Sequence, residues 1–454
     1  MLNSDVFKNI KDFKEELNKI SPTFCTAKWL QSTILLYNGE THSCHHVQRN
    51  KISVEQLKDN PKAIHNSPIK MLARRDLMEG KQSPECDYCW KIENLGTDRV
   101  SDRIYKSSAP WAAPYLQKVV ESGDGADIDP TYLEVAFDST CNFACMYCTP
   151  EVSSKWMEDA EINGPYRLHT ISLHDTEYIR NVDKYPIRHN EYNPYIDAFW
   201  KWWPDLYPNL RTFRITGGEP LLSKHTWTVM EWIKNNPNPD IEFAINTNLG
   251  VPRKLIEKFV EEIRAIEGKV RRVKIFTSLE ATGQHAEYIR HGLNYTEFLD
   301  NLNYIMTELP GIRVIFMTTV NALSIFTFKD FLAEIINLQM KYSRDSVGLS
   351  INYLRWPMCM DIRILDKKLM QPYLDEIVEY VENHRIKIPG SKNVKFYLEE
   401  IDQIMRLREY AMQPCDNRQD LIKDFILYFN QYDIRRKLDL HKTFPEVANM
   451  LVDE

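Results

Sequence analysis

Between Leu133 and Leu354 the chain alternates short β-type runs with amphipathic helical stretches, and this alternation limits the fold more than any other feature. The strands fall at 133–138, 212–216, 242–246, 273–278, 312–319 and 347–354. Helical patterns lie between them at 224–235, 253–266, 295–308 and 328–340. Strand and helix repeating at this interval are the signature of parallel βαβ units. Six units are too few to close an eight-stranded barrel. The expected class is therefore α/β, as a partial (βα)6 TIM-like barrel.

Two regions flank these units. Residues 1–127 open with an amphipathic helix pattern (Val6, Ile10, Phe13, Leu17, Ile20), carry four scattered cysteines, and end in the polar, glycine-containing stretch Glu121–Asp127, a linker composition. Residues 361–454 read as helices at 369–381, 398–412 and 421–429 and hold no chemical motif. The expected division is 1–127, 128–360 and 361–454, in keeping with a length of 454 residues. About 60 residues separate Cys148 from the strand at Thr212, more than a crossover helix and its loops need. The insert over 150–192 reads as a lid, a substrate loop or a disordered segment.

Net charge is −7, from 57 Lys+Arg against 64 Asp+Glu. That balance gives no overall field for a nucleic acid or an anionic membrane. No apolar run approaches the ~20 residues that span a bilayer, and residues 1–20 lack the apolar centre of a secretion signal. The expectation is a cytoplasmic protein with neither membrane nor nucleic acid as partner. In that compartment the nine cysteines stay reduced, so close cysteine spacings suggest metal sites or catalysis rather than disulfides.

The sharpest spacing is Cys141-Asn-Phe-Ala-Cys145-Met-Tyr-Cys148, directly after a strand. Three thiolates on one loop can wrap a single metal centre, and soft thiolates select zinc, copper(I) or iron–sulfur clusters. Structural zinc wants a fourth ligand, yet no further cysteine is near and the nearest histidine is His169. Three ligands on a four-iron cluster leave one iron open. A second group lies in the first region: Cys25, Cys44 and the pair Cys86-Asp-Tyr-Cys89. On its own the pair is half a zinc site, a redox couple or two plain thiols, and His42, His45 and His46 keep a mixed Cys/His site open. Cys359 and Cys415 have no partner pattern, and Phe199-Trp-Lys-Trp-Trp203 reads as helix packing.

Cys-x3-Cys-x2-Cys with an aromatic (Tyr147) before the last cysteine resembles the signature of the radical S-adenosylmethionine superfamily. Thr216-Gly217-Gly218-Glu219-Pro220, at the end of the next strand, resembles that family's second motif. The resemblance spans about Phe24 to Leu354. It implies a [4Fe–4S] cluster on Cys141, Cys145 and Cys148. Reductive cleavage of S-adenosylmethionine there gives a 5′-deoxyadenosyl radical, which abstracts hydrogen from a substrate. It also implies cofactor contacts from Tyr147, Gly217, Gly218, Glu219, Asn248, Ser278, Glu280, Arg290 and Asn321. Many relatives carry Asp-Gly where this chain has Glu280-Ala281.

Cys25, Cys44, Cys86 and Cys89 are similar in order to the twitch or SPASM-like auxiliary module. The resemblance there implies a second [4Fe–4S] cluster with full ligation, fit for electron transfer rather than substrate binding. The implied substrate is a peptide or protein side chain, oxidised, crosslinked or epimerised. The alternatives are a sugar or amino-acid derivative, or a non-catalytic iron–sulfur electron carrier. The implied reductant is a flavodoxin or ferredoxin.

Overall fold

The computed structural model describes residues 10–96, 99–125, 127–385 and 396–451. Val6 of the first helical pattern and Ala126 of the linker lie outside these described residues. Nine strands form one sheet: β1 (Gln31–Leu35), β2 (Glu40–His42), β3 (Asn50–Lys51), β4 (Tyr132–Ala136), β5 (Thr212–Thr216), β6 (Asn238–Thr247), β7 (Val270–Ser278), β8 (Arg313–Val320) and β9 (Val347–Tyr353). Their order is β9-β8-β7-β6-β5-β4-β1-β2-β3. The pairings from β9 to β4 are parallel.

The six expected strands are all present, and a seventh joins the parallel run. β1 pairs in parallel with β4, from Gln31 opposite Tyr132 to Leu35 opposite Ala136. The ladder therefore crosses the division expected at 127/128. Nothing in the sequence of β1 marked it out, because its five residues, Gln-Ser-Thr-Ile-Leu, show no clear alternation. It is buried throughout and has neighbours on both edges, β4 and β2.

Alternation explains how the sheet presents its two faces. Leu133, Val135, Phe213, Ile215, Phe243 and Ile245 are fully buried in the main apolar core. Glu134, Arg214 and Asn246, at the intervening positions, take the other face. Helix Arg253–Ile266 buries Ile256, Phe259, Val260, Ile263 and Ile266 at helical spacing. Each such side chain contributes about 1.5–3 kcal/mol on burial. Phe199 and Trp203 of helix Pro194–Leu206 pack on Phe137 and Phe213 at ring distances of 5.2 and 4.9 Å.

The insert is folded. It contains helix Ser154–Asn163, a small hairpin (Tyr166–Arg167 with Ser172–Leu173) and helix Thr176–Asn181. The long C-terminal helix Arg418–Arg436 clamps it. Buried Asp424 accepts hydrogen bonds from the backbone of His169 (2.6 Å) and Thr170 (3.0 Å), and Arg435 pairs with Asp159 at 3.1 Å.

Candidate functional site

The three cysteines of the tight motif leave the end of β4 on one loop. Ala144–Cys145 pairs antiparallel with Arg290–His291, and the Met146 amide donates to Ile289 O at 2.8 Å. The Cys148 amide donates to Cys145 O at 2.9 Å and the Phe143 amide to Cys141 Sγ at 3.4 Å. Three side chains brace the loop from outside. Ser154 Oγ accepts from the Cys141 amide (3.0 Å), Trp156 Nε1 donates to Cys145 O (2.8 Å), and the Tyr428 hydroxyl donates to Met146 O (2.7 Å). Burial pushes all three thiols up. Cys141 rises to about 12, with Cys145 adding to it, and Cys148 is raised further by both neighbours. Bare thiolates are therefore disfavoured here, and a bound metal cation would reverse that balance.

The Gly-Gly turn packs beneath this loop, and space requires its glycines. A Cβ on Gly218 would lie 2.3 Å from Thr140 O, and one on Gly217, which has φ +121°, would lie 2.9 Å from Asp138 O. The Glu219 amide donates to Thr140 O at 2.7 Å. Its buried carboxylate accepts from the Asn248 amide (2.6 Å), Thr247 Oγ1 (2.7 Å) and the Leu221 amide (3.0 Å). Burial nevertheless pushes Glu219 up to about 7. The Asn248 side chain donates to Asn142 (2.9 Å) and accepts from the Gly250 amide (2.8 Å), tying β6 to the cysteine loop.

Buried Glu280 and Arg290 form one cluster with half-buried Tyr147. Arg290 Nη2 pairs with Glu280 and donates to the Tyr147 hydroxyl at 2.6 Å, while Nη1 lies 3.8 Å from Cys145 Sγ. Burial pulls the guanidinium down, but Glu280 more than offsets it, so Arg290 stays charged. Its Nε is buried and carries no hydrogen-bond partner. Ser278 ends β7, half-buried. Asn321 closes its own turn: it accepts from the amides of Leu323 and Ser324 at 3.0 Å and donates to Thr319 O at 2.9 Å.

Four further cysteines come from three separate stretches of chain and line one cavity. Cys25 precedes a short helix, Cys44 follows β2, Cys86 ends a 3-10 turn and Cys89 lies in helix Asp87–Glu93. Burial raises Cys86 to about 12 and Cys89 to about 11. Lys28, Arg103 and Lys106 also line the cavity. Lys28 pairs with Glu85 and Arg103 with Glu93, and Lys106 Nζ lies 2.9 Å from Cys44 Sγ. His46 Nε2 meets Asp102 at 2.7 Å, with its ring stacked 3.8 Å from Tyr88. His42 Nδ1 lies 2.9 Å from Cys44 O. All nine cysteines are free; Cys359 is buried and Cys415 half-buried.

No family model matches the chain, and no curated protein matches it. Among the solved structures that match it are two of one protein. One is the crystal structure of Streptococcus suis SuiB bound to S-adenosylmethionine, at 13% identity over 78% of this chain and 68% of that chain, with a TM-score of 0.34. The other is Streptococcus suis SuiB bound to the precursor peptide SuiA, at 12% identity over 78% and 70%, with a TM-score of 0.33.

Histidine, cysteine and carboxylate side chains are the metal donors to consider. Among the described residues, the only group of three such donors lying within 4.8 Å of one another is His45, His46 and Asp102. Soft thiolate donors in either cysteine set are compatible with zinc, copper(I) or an iron–sulfur cluster. The sequence did not single out Trp156, Tyr428 or Lys106, since each touches its cysteine segment from a distant element or turn. Nor did it single out Arg214, which donates to Asn246 Oδ1 at 2.7 Å and lies 4.0 Å over the Phe276 ring.

Proposed function

We propose that this chain is a radical S-adenosylmethionine enzyme. The observation that carries this reading is the eight-residue loop at the end of β4. It supplies three half-buried thiols and no fourth, braced on its outer side, with the Gly217-Gly218 turn packed beneath it. The donor set fits a four-iron cluster with one iron left open. When bound, that cluster supplies one electron to S-adenosylmethionine, whose C–S bond then breaks to give methionine and a 5′-deoxyadenosyl radical.

The chain's own residues bind and orient. Glu219 uses three of its roughly four acceptor positions on the protein, leaving one for the cofactor's ammonium beside the Gly-Gly turn. Arg290 is the fixed cation for a carboxylate, held in place by Glu280 and Tyr147. Asn248, Ser278 and Asn321, at or just beyond the ends of β6, β7 and β8, stand at the same edge of the sheet. In this reading the parallel strands form a partial barrel over 128–360. Residues 1–127 form an auxiliary module in which Cys25, Cys44, Cys86 and Cys89 hold a second [4Fe–4S] cluster. Residues 361–454 are a helical C-terminal extension, of which Tyr428 braces the cysteine loop. The substrate class is a peptide or protein side chain and the reductant a flavodoxin or ferredoxin, in the cytoplasm. Among the described residues no helix is long and apolar enough to cross a membrane.

Anaerobic reconstitution tests the proposal. About eight irons per chain are expected from two four-iron clusters, with slow formation of 5′-deoxyadenosine when dithionite and S-adenosylmethionine are added. Replacing Cys141, Cys145 and Cys148 with Ala should halve the iron and abolish 5′-deoxyadenosine. Stoichiometric zinc without cluster absorbance would overturn the reading.

A further inference from the structure

We propose that Lys106 sets the reduction potential of the cluster held by Cys25, Cys44, Cys86 and Cys89, through direct contact with the Cys44 sulfur. This rests on the auxiliary-cluster part of the reading above. Lys106 Nζ lies 2.9 Å from Cys44 Sγ, and its side chain is only 15% exposed. The ammonium is held from behind. Asp102, one helical turn earlier, lies 3.7 Å away, and His46 in turn fixes Asp102 at 2.7 Å. His45 Nδ1 lies 3.5 Å from the same nitrogen.

The other two cations of the cavity are committed elsewhere. Lys28 is closed onto Glu85. Arg103 spends its donors on Glu93, Asn18 and Phe24 O. Among the described residues lining this cavity, Lys106 is the cation in hydrogen-bond contact with a cysteine sulfur. Reduction adds negative charge to the sulfurs. An N–H donor that also carries a positive charge stabilises the reduced form more than the oxidised one and raises the potential. Lys106 is buried enough to escape most solvent screening. A raised potential favours arrival of an electron at this cluster over its departure.

The test uses the full chain with Cys141, Cys145 and Cys148 replaced by Ala, so that the N-terminal cluster alone gives the paramagnetic signal. Redox titration followed by electron paramagnetic resonance compares Lys106 with Lys106→Met, Lys106→Arg and Lys106→Gln. Circular dichroism and iron content serve as controls for folding and loading. The expected result is a more negative midpoint potential in Lys106→Met, a smaller shift in Lys106→Gln, which keeps a donor without charge, and almost none in Lys106→Arg. A folded, iron-loaded Lys106→Met with an unchanged midpoint overturns the inference while leaving the auxiliary cluster standing. If Lys106→Met loses its iron, the same comparison is read from Lys106→Gln. A Lys106-containing parent that folds but takes up no iron overturns the auxiliary cluster itself, and the inference with it.

Discussion

The two cysteine sets solve the problem of gathering thiols in opposite ways. Cys141, Cys145 and Cys148 are adjacent in sequence, and the fold serves to hold their backbone still. The Cys141 amide donates to Ser154, while Trp156 and Tyr428 donate to Cys145 O and Met146 O, the last from more than 280 residues away. Cys25, Cys44 and the pair Cys86 and Cys89 come from three separate stretches of chain, so the fold itself must bring them together. Their charges differ too. The first set has one nearby cation, Arg290, locked in a buried pair. The second has Lys106 directly on sulfur, with Lys28 and Arg103 in the same cavity wall. Adjacency makes a site readable and replaceable as a unit; assembly makes it depend on each contributing element.

The sharpest break of this comparison is at the two cations. Arg290→Met leaves Glu280, only 1% exposed, without its partner. Removing one member of a buried pair costs about 3–5 kcal/mol. Chemical denaturation should show a loss of that size, with loss of iron from the loop cluster. Lys106→Met removes a cation whose acidic partner, Asp102, is 33% exposed, 3.7 Å away and also held by His46, so its effect on stability should stay within about 1 kcal/mol. Equal losses in the two variants would erase the distinction drawn here.

The next test concerns the braces. Tyr428→Phe removes the donor to Met146 O, at a cost of about 1–3 kcal/mol for a buried acceptor left unpaired. Iron should leave the loop cluster faster on chelator challenge, while the N-terminal cluster keeps its rate. Identical release from both would mean that the C-terminal helix does not support the loop in particular.

The last effect is graded, entering step by step with pH. Burial lifts Glu219 to about 7 from an ordinary value of 4.5, so the folded chain binds a proton that the unfolded chain has already lost. Stability therefore falls as pH rises from about 4.5 to 7, by up to about 3 kcal/mol. Buried histidines act in the other direction. His42 is lowered by burial to about 4 and His174 to about 3, so stability is lost as pH falls below 6.5 towards those values. Comparing Glu219→Gln with the parent, both metal-free, isolates the carboxyl. The difference in stability between the two should change across pH 4.5–7 and stay level above it. A difference constant over that range would mean that Glu219 titrates normally.

What could be read in the sequence follows the range of the forces involved. The strands at 212–216 and the helices at 224–235, 253–266 and 295–308 fall where their patterns place them, since local periodicity determines them. β1 escaped because a strand buried along its whole length carries no alternating signature, and its partner β4 is distant in sequence. The cysteine loop was legible as a motif, and Gly217-Gly218 as a close approach of backbone. The crowding that requires Gly218 comes from Thr140 O, a neighbour that only the fold supplies. The insert was ambiguous because its order comes from Asp424 and Arg435 on the C-terminal helix, contacts with no trace in its own composition.

The placement of β1 also matters while the chain is being made. Its partner strand begins with Tyr132, opposite Gln31, so about a hundred residues must be synthesised before that edge finds its ladder. At the usual rate of about 5–20 residues per second, the interval is on the order of 5–20 s. During it the β1–β2 hairpin can close one edge of β1, while the other shows unpaired amides and carbonyls, the kind of template that invites association between nascent chains. An early hold on that edge, by a holdase or by slow collapse of the first 127 residues around Trp29 and Leu30, would decide how much of the chain reaches its native sheet.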